Sequence, residues 1–120
     1  MARLIHSPTE IKAQGNKPKI IQEFIGRVNT KTGNASVAKM NSPEGWIEPG
    51  QTPEFDEYSV VLNGVLCVKT KKESFEVKAG QAFIASKDEW VQYSTPYKGG
   101  AEYIAVCVPA FSPQSIHRDG

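Results

Sequence analysis

The chain has 120 residues, 39% hydrophobic and 22% charged, with 14 basic against 13 acidic side chains and a formal net charge of +1. That length supports one domain with a real core and is short for two. A nearly neutral chain lacks the basic footprint of a nucleic-acid binder, and no apolar run approaches the ~20 residues of a membrane-spanning helix.

Nucleic acid and membrane are therefore not expected as partners. The N-terminal stretch MARLIHSPTEIKAQ lacks the apolar segment of a secretory signal, so a cytoplasmic location is expected. Residues 20–26 place Ile20, Ile21, Phe24 and Ile25 at a spacing that fits either one helical turn or a short strand, bracketed by Gly15, Pro18 and Gly26. Residues 29–34 read as a turn, 35–41 alternate like a strand, and 42–45 form another turn. Residues 57–70 hold two β-rich runs around Asn63-Gly64, which predicts a hairpin. The basic run Lys69–Glu73 reads as a solvated hairpin tip. Residues 74–86 repeat the pattern around Ala79-Gly80. A strand over 89–96 ends at Pro96, 97–100 is a loop, and 101–109 is the last strong strand. The tail, 110–120, is expected to lie over the surface. Short strands between regularly spaced turn signals predict an all-β sandwich or barrel. Cys67 and Cys107 sit in apolar runs without CxxC spacing, so buried free thiols are expected rather than a disulfide.

Glu57 followed by six residues and Gly64 resembles the end of the first cupin motif, G-x5-H-x-H-x3,4-E-x6-G. Gln51 and Pro53 then stand at its two histidine positions. Gly80 opens the second motif, G-x5-P-x4-H-x3-N, with Ser86 at the proline position and Val91 at the histidine position. The resemblance covers about residues 36–109 and implies an all-β cupin fold, a jelly-roll barrel. Residues 1–120 are then one cupin domain, with the barrel core at about 36–109, N-terminal strands in 1–35 and a tail in 110–120. The back half is also similar to the barrel of the ethanolamine-utilization protein Q family, a histidine-poor cupin branch. The shared elements are Asp56-Glu57, Val61-Leu62-Asn63-Gly64, Tyr93-Ser94-Thr95-Pro96 and Pro109-Ala110. That family has been linked to acetate kinase activity; no Walker-type loop occurs here, and the activity is not carried over.

Cupin metals take three imidazoles and a carboxylate, and Gln, Pro and Val do not replace imidazole for borderline ions. No metal and no other cofactor is expected, with an atypical divalent ion held through Glu57 as an alternative. The two histidines, His6 and His117, lie at opposite ends of the chain and read as solvated. Strand alternation puts Ser59 and Val61 on the face of Glu57, and Tyr93 on the face of Val91; a one-residue shift would turn Trp90 and Gln92 inward instead. The candidate ligand-binding residues are Gln51, Glu57, Ser59 and Tyr93, with Gln92 as the alternate. Burial raises a carboxyl's pKa, which makes Glu57 the candidate catalytic acid or base. The competing reading leaves Glu57 holding a loop at the barrel mouth. Glu54 and Glu57 are a possible carboxylate pair whose separation the sequence leaves open. Trp46 and Phe55 either line a ligand mouth or pack on the barrel edge or a dimer partner. The functional expectation is a barrel that binds a small polar metabolite without metal. The alternatives are a metal-independent isomerase, lyase or phosphotransfer-related enzyme using Glu57, an atypical metal site, and a structural role. A homodimer is expected, formed through unpaired N-terminal strands.

Overall fold

In a computed structural model that describes residues 2–120, the alternation over 57–70 becomes one unbroken strand, Asp56–Thr70. Among the described residues it is the fifth of nine strands: β1 (Thr9–Ile11), β2 (Ile20–Ile25), β3 (Ser36–Ser42), β4 (Trp46–Ile47), β5 (Asp56–Thr70), β6 (Ser74–Lys78), β7 (Ala82–Ala85), β8 (Val91–Thr95) and β9 (Ala101–Val108). The segment 20–25 is thus a strand and not a helical turn. A short 3₁₀ turn, Pro113–Ser115, lies in the tail. The all-β expectation holds.

The Asn63-Gly64 hairpin does not form. On β5 the buried positions are Ser59 and Val61, then Leu66 and Val68, so the inward parity changes from odd to even. The ladder to β9 shifts register between Val61 and Asn63, the mark of a bulge that bends a strand. Residues before the bend pair with β7 and β9, and residues after it pair with β6 and β8. Asn63-Gly64 is therefore the corner at which one strand passes between the two walls of the barrel. Gly64 has φ +79°, and a Cβ there would lie 2.1 Å from the Gly100 carbonyl oxygen. A corner and a tight turn make the same demand on the backbone, a positive φ with no side chain, so the dipeptide alone does not separate them. Ala79-Gly80 does form the expected turn, closed by the Gln81 N–H donating to the Lys78 carbonyl at 2.9 Å, but without a hairpin: β6 and β7 run one after the other along β5 and follow its bend.

The sheet order is β1-β2-β3-β9-β5-β8-β4, with β6 and β7 also on β5, and the sheet curls into a barrel. The N-terminal strands extend the same sheet, since β2 pairs with β3 from Ile20↔Asn41 to Ile25↔Val37. Trp46, Val61, Leu66, Val68, Val91 and Tyr93 fill the interior, each at most 4% exposed. Each such aliphatic or aromatic side chain contributes roughly 1.5–3 kcal/mol by leaving water. A smaller cluster of Phe55, Cys107 and Ile116, joined by Phe111, sits under the tail. Cys107 is buried and Cys67 half-buried, both as free thiols. Among the described residues no helix is long and apolar enough to cross a membrane.

Candidate functional site

Small residues open the barrel interior. Ala38 of β3 pairs with Ala105 of β9, which pairs with Ser59 of β5, so one cross-strand row has no bulk. The next row carries Ser36, Cys107 and Glu57. Above them lies a cavity of about 750 Å3, counting its open mouth. Phe55, Tyr93 and Tyr103 form its aromatic walls, and Lys19, Glu48, Gln51, Glu57 and Arg118 bring charge and polarity to it.

Glu57 projects from the start of β5 and accepts a hydrogen bond from the Tyr93 hydroxyl at 3.3 Å. Burial raises its pKa, with Lys19 and the Tyr93 hydroxyl working against that rise. Burial and the nearby Glu57 and Glu48 carboxyls hold the Tyr93 phenol well above its ordinary value. Glu48 follows β4, where alternation with the buried Trp46 turns it inward. Its backbone N–H donates to the Tyr93 carbonyl at 3.3 Å, and its own carbonyl accepts from the Gln92 amide at 3.0 Å. Enclosure by the barrel pushes its carboxyl up to about 7; Glu57 adds to the rise, and Lys19 and Arg118 oppose it.

Lys19, just ahead of β2, supplies the cation. Its Nζ donates to the Tyr103 hydroxyl at 2.8 Å and lies 4.0 Å from the centre of the Trp46 ring. The Tyr103 hydroxyl also meets Ser42 Oγ at 3.2 Å. A cation over an indole gains roughly 0.5–2 kcal/mol, which offsets part of the cost of enclosing it. Arg118 arrives from the other end of the chain. The tail is pinned by hydrogen bonds from the Glu54 N–H to the Ser115 carbonyl at 2.8 Å, from the Thr52 N–H to the His117 carbonyl at 3.1 Å, and from the Asp119 N–H to the Gly50 carbonyl at 2.8 Å. It lies over the surface as expected, and there it closes one side of the cavity with Ile116 and Arg118. Gln51 Oε1 and Arg118 Nε are buried without a hydrogen-bond partner. Each such atom costs about 1–3 kcal/mol if left unmet, and a ligand with both a donor and an acceptor would meet the pair.

The structure brings Gln51, Glu57 and Tyr93 together on the cavity. Ser59 points inward beside Glu57 but lies behind the lining, 1% exposed. Gln92 is turned away and spends its amide on the Glu48 carbonyl, because β8 adopts the register that buries Val91 and Tyr93. The Glu54–Glu57 pair does not assemble: Glu54 faces outward and its carboxylate contacts His117 Nε2. Glu48 is the carboxyl that accompanies Glu57. Trp46 and Phe55 are both 1% exposed; Trp46 packs in the main core, and Phe55 also lines the cavity. Sequence reasoning missed Glu48, Lys19 and Arg118. The pattern Trp46-x-Glu48 carried a usable signal, since a buried tryptophan on a strand turns its i+2 neighbour the same way.

The donor set does not fit a cupin metal. Gln51 and Val91 face each other across an isolated bridge, and Pro53 offers no lone pair. Among the described residues no group of three or more His, Cys, Asp and Glu side chains is placed to hold an ion. His6 is exposed and His117 is held by Glu54 outside the barrel. The Lys19 ammonium, which acts electrostatically on both Glu48 and Glu57, further disfavours a second cation there.

No protein-family model matches the chain. Solved structures with this architecture include the polyketide cyclase RemF from Streptomyces resistomycificus, with TM-score 0.77, 16% identity and coverage of 100% of this chain and 87% of that one. A variant of the Streptomyces protein PAC13 with uridine matches at TM-score 0.75 and 13% identity, over 98% and 88% of the two chains. An ethanolamine utilization protein Q from Salmonella typhimurium matches at TM-score 0.68 and 17% identity, over 87% and 97%. The fold is the cupin fold. In sequence, the chain is 40% identical over 101 residues to the endoribonuclease YbeY of Myxococcus xanthus, a match covering 84% of this chain and 34% of that protein. The chain thus spans about a third of the length of that curated relative.

Proposed function

We propose that this cupin binds a small polar metabolite in its barrel without a metal ion. The observation that carries the reading is the joint placement of Glu48, Glu57 and Lys19 in one cavity, with Tyr93 donating to Glu57. Enclosed charges of this density are costly unless a ligand or a partner meets them. The unpartnered atoms of Gln51 and Arg118 favour a molecule that presents a hydroxyl or amine next to a carbonyl or carboxylate. The similarity to the ethanolamine-utilization branch and to a neighbour solved with uridine directs the first probes. Thermal-shift measurements with uridine, simple hydroxy acids, amino acids and sugars test the reading. A ligand at ~100 times its Kd stabilises by about 2.7 kcal/mol, and Lys19→Ala and Glu57→Gln should each reduce that shift. A panel without any stabilising member would reduce the barrel to a structural role.

The titration of Glu48 near 7 favours a second reading, metal-independent acid–base chemistry in which Glu48 and Glu57 exchange protons with the bound molecule. A turnover that survives both Glu57→Gln and Glu48→Gln would refute it. The similarity to about a third of the Myxococcus xanthus endoribonuclease supports testing RNA as a substrate or as the setting of this ligand-binding unit. Incubation of the chain alone with single-stranded RNA should leave the RNA intact; cleavage lost with Glu57→Gln would make the barrel itself the nuclease.

A further inference from the structure

Gln51 and Arg118 meet on the cavity wall as directly opposed residues of an isolated antiparallel bridge. The Thr52 N–H donates to the His117 carbonyl and the Asp119 N–H to the Gly50 carbonyl. That pattern makes 51 and 118 a non-hydrogen-bonded pair, the kind whose side chains stand closest, with Cα atoms ~4.5 Å apart. Opposed side chains leave such a pair on one side of the ladder. Gln51 also faces Val91 across a second bridge, and Val91 is 1% exposed, so the row points into the barrel. Gln51 is itself 3% exposed. Its Oε1 and the Arg118 Nε are, among the described residues, the buried side-chain polar atoms without a hydrogen-bond partner. One accepts and the other donates, and the bridge starts both side chains from neighbouring Cα atoms.

The chemistry of this pair narrows the ligand. Among the described residues the ion pairs are Lys39 with Glu102 and His117 with Glu54, so the Arg118 guanidinium is in none. An enclosed cation is costly without an anion, and the Nε edge of a guanidinium offers a carboxylate two parallel donors. The carboxyls already in the cavity do not bar an anion from that edge. Burial favours the neutral form of both Glu48 and Glu57, and Glu57 holds the Tyr93 hydroxyl. Gln51 Oε1 requires a donor beside that carboxylate. A hydroxyl supplies one without charge, whereas an ammonium would add a positive charge to a cavity that already holds Lys19 and Arg118. Ile116 lies two residues before Arg118 and packs with Phe55 and Phe111, so the carbon part of the ligand meets apolar surface. Ala38 and Ala105 leave room for it. We infer that Arg118 and Gln51 are the recognition pair for a 2-hydroxy carboxylate with an apolar side group, the carboxylate on the Arg118 Nε edge and the hydroxyl donating to Gln51 Oε1. The inference rests on the reading of the barrel as a metabolite site and names the class of metabolite.

Isothermal titration calorimetry on the intact chain tests the pair with lactate and mandelate, each beside its amide and its deoxy acid, propionate or phenylacetate. At least one of the two hydroxy acids should bind, ~10-fold or more tighter than its amide and several-fold tighter than its deoxy acid. Arg118→Ala should bring acid and amide level. Gln51→Met should bring hydroxy acid and deoxy acid level while the preference for acid over amide stays. Circular dichroism checks that both variants fold. If Arg118→Ala does not, Arg118→Lys, which keeps the charge and loses the Nε edge, should lower the acid preference several-fold, and the wild-type comparison stands without any variant. An amide that binds as tightly as its acid overturns the inference. So does tighter binding of alanine or phenylglycine, the amino counterparts, and so does a folded Arg118→Ala that keeps the acid preference. Binding of uridine or a sugar where neither hydroxy acid binds overturns it and leaves the metabolite reading standing. Failure of every compound overturns both.

Discussion

Glu48→Gln isolates the cost of keeping a carboxyl inside the barrel, since it keeps the shape and removes the titration. The folded pKa stands at about 7 against an ordinary 4.5. At ~1.36 kcal/mol per pH unit the gap is worth about 3 kcal/mol, an upper bound because part of the Glu48 surface meets water in the cavity. The sign follows from proton binding. Between pH 4.5 and 7 the folded chain holds a proton at Glu48 that the unfolded chain has released, so stability falls as pH rises. The contribution is fully present below 4.5 and is lost by the time the pH passes about 7. For a chain of 120 residues, 1 kcal/mol moves Tm by roughly 4 °C, so the full effect is about 12 °C. Urea and thermal unfolding of both proteins from pH 4.5 to 8.5 measure it. Glu57 is raised in the same sense and adds its own decline to both curves, so the difference between them belongs to Glu48. The two should nearly coincide at the acid end and separate above neutrality, with the variant more stable. Parallel curves across the range would refute the placement of Glu48 as an enclosed carboxyl.

Tyr93→Phe takes from Glu57 its hydroxyl donor; it should cost about 1 kcal/mol and move the Glu57 titration, followed by carbon NMR, further upward. Gly64→Ala should cost about 3 kcal/mol or more in urea unfolding, because its Cβ meets the Gly100 carbonyl at 2.1 Å; Gly80→Ala, at a similar φ but with nothing within 4 Å, should cost about 1 kcal/mol. Ile116→Asp puts a charge into the cluster with Phe55 and Cys107. It should cost roughly 3 kcal/mol and make the Cys107 thiol, inert in the wild type through burial, react with Ellman's reagent in the folded protein.

The parts of this fold legible in the sequence are those in which a residue's fate depends on its neighbours along one strand. Glu57, Ser59 and Val61 share a face because of the pleat, and Val91 and Tyr93 do so for the same reason. Asn63-Gly64 was misleading because its local chemistry is the same at a hairpin and at a corner; the decision lies in the partners of β5, which come from residues 74–108. The cavity was legible only in part. Glu48 was reachable through Trp46, but Ile47 is the sole strand residue between them and the proline after Glu48 hides the period. Lys19 and Arg118 carried no local signal. Their positions follow from β2 pairing with β3, and from a tail pinned by backbone hydrogen bonds that no side-chain pattern announces.

Those two residues change how the ends of the chain should be regarded. The stretch that resembles the cupin motifs falls within about 36–109, and strand alternation within it turns Glu48 and Glu57 inward. On its own that stretch would lack the Lys19 ammonium and the Arg118 guanidinium, which both lower the Glu48 pKa. It would also lose the tail that covers Phe55 and Cys107. Removing one partner from an enclosed charge typically costs 3–5 kcal/mol. In a metal-containing cupin the ion would balance such a carboxylate. Here that work falls to a lysine from before the barrel and an arginine from after it, so the elements that complete the fold also complete the site.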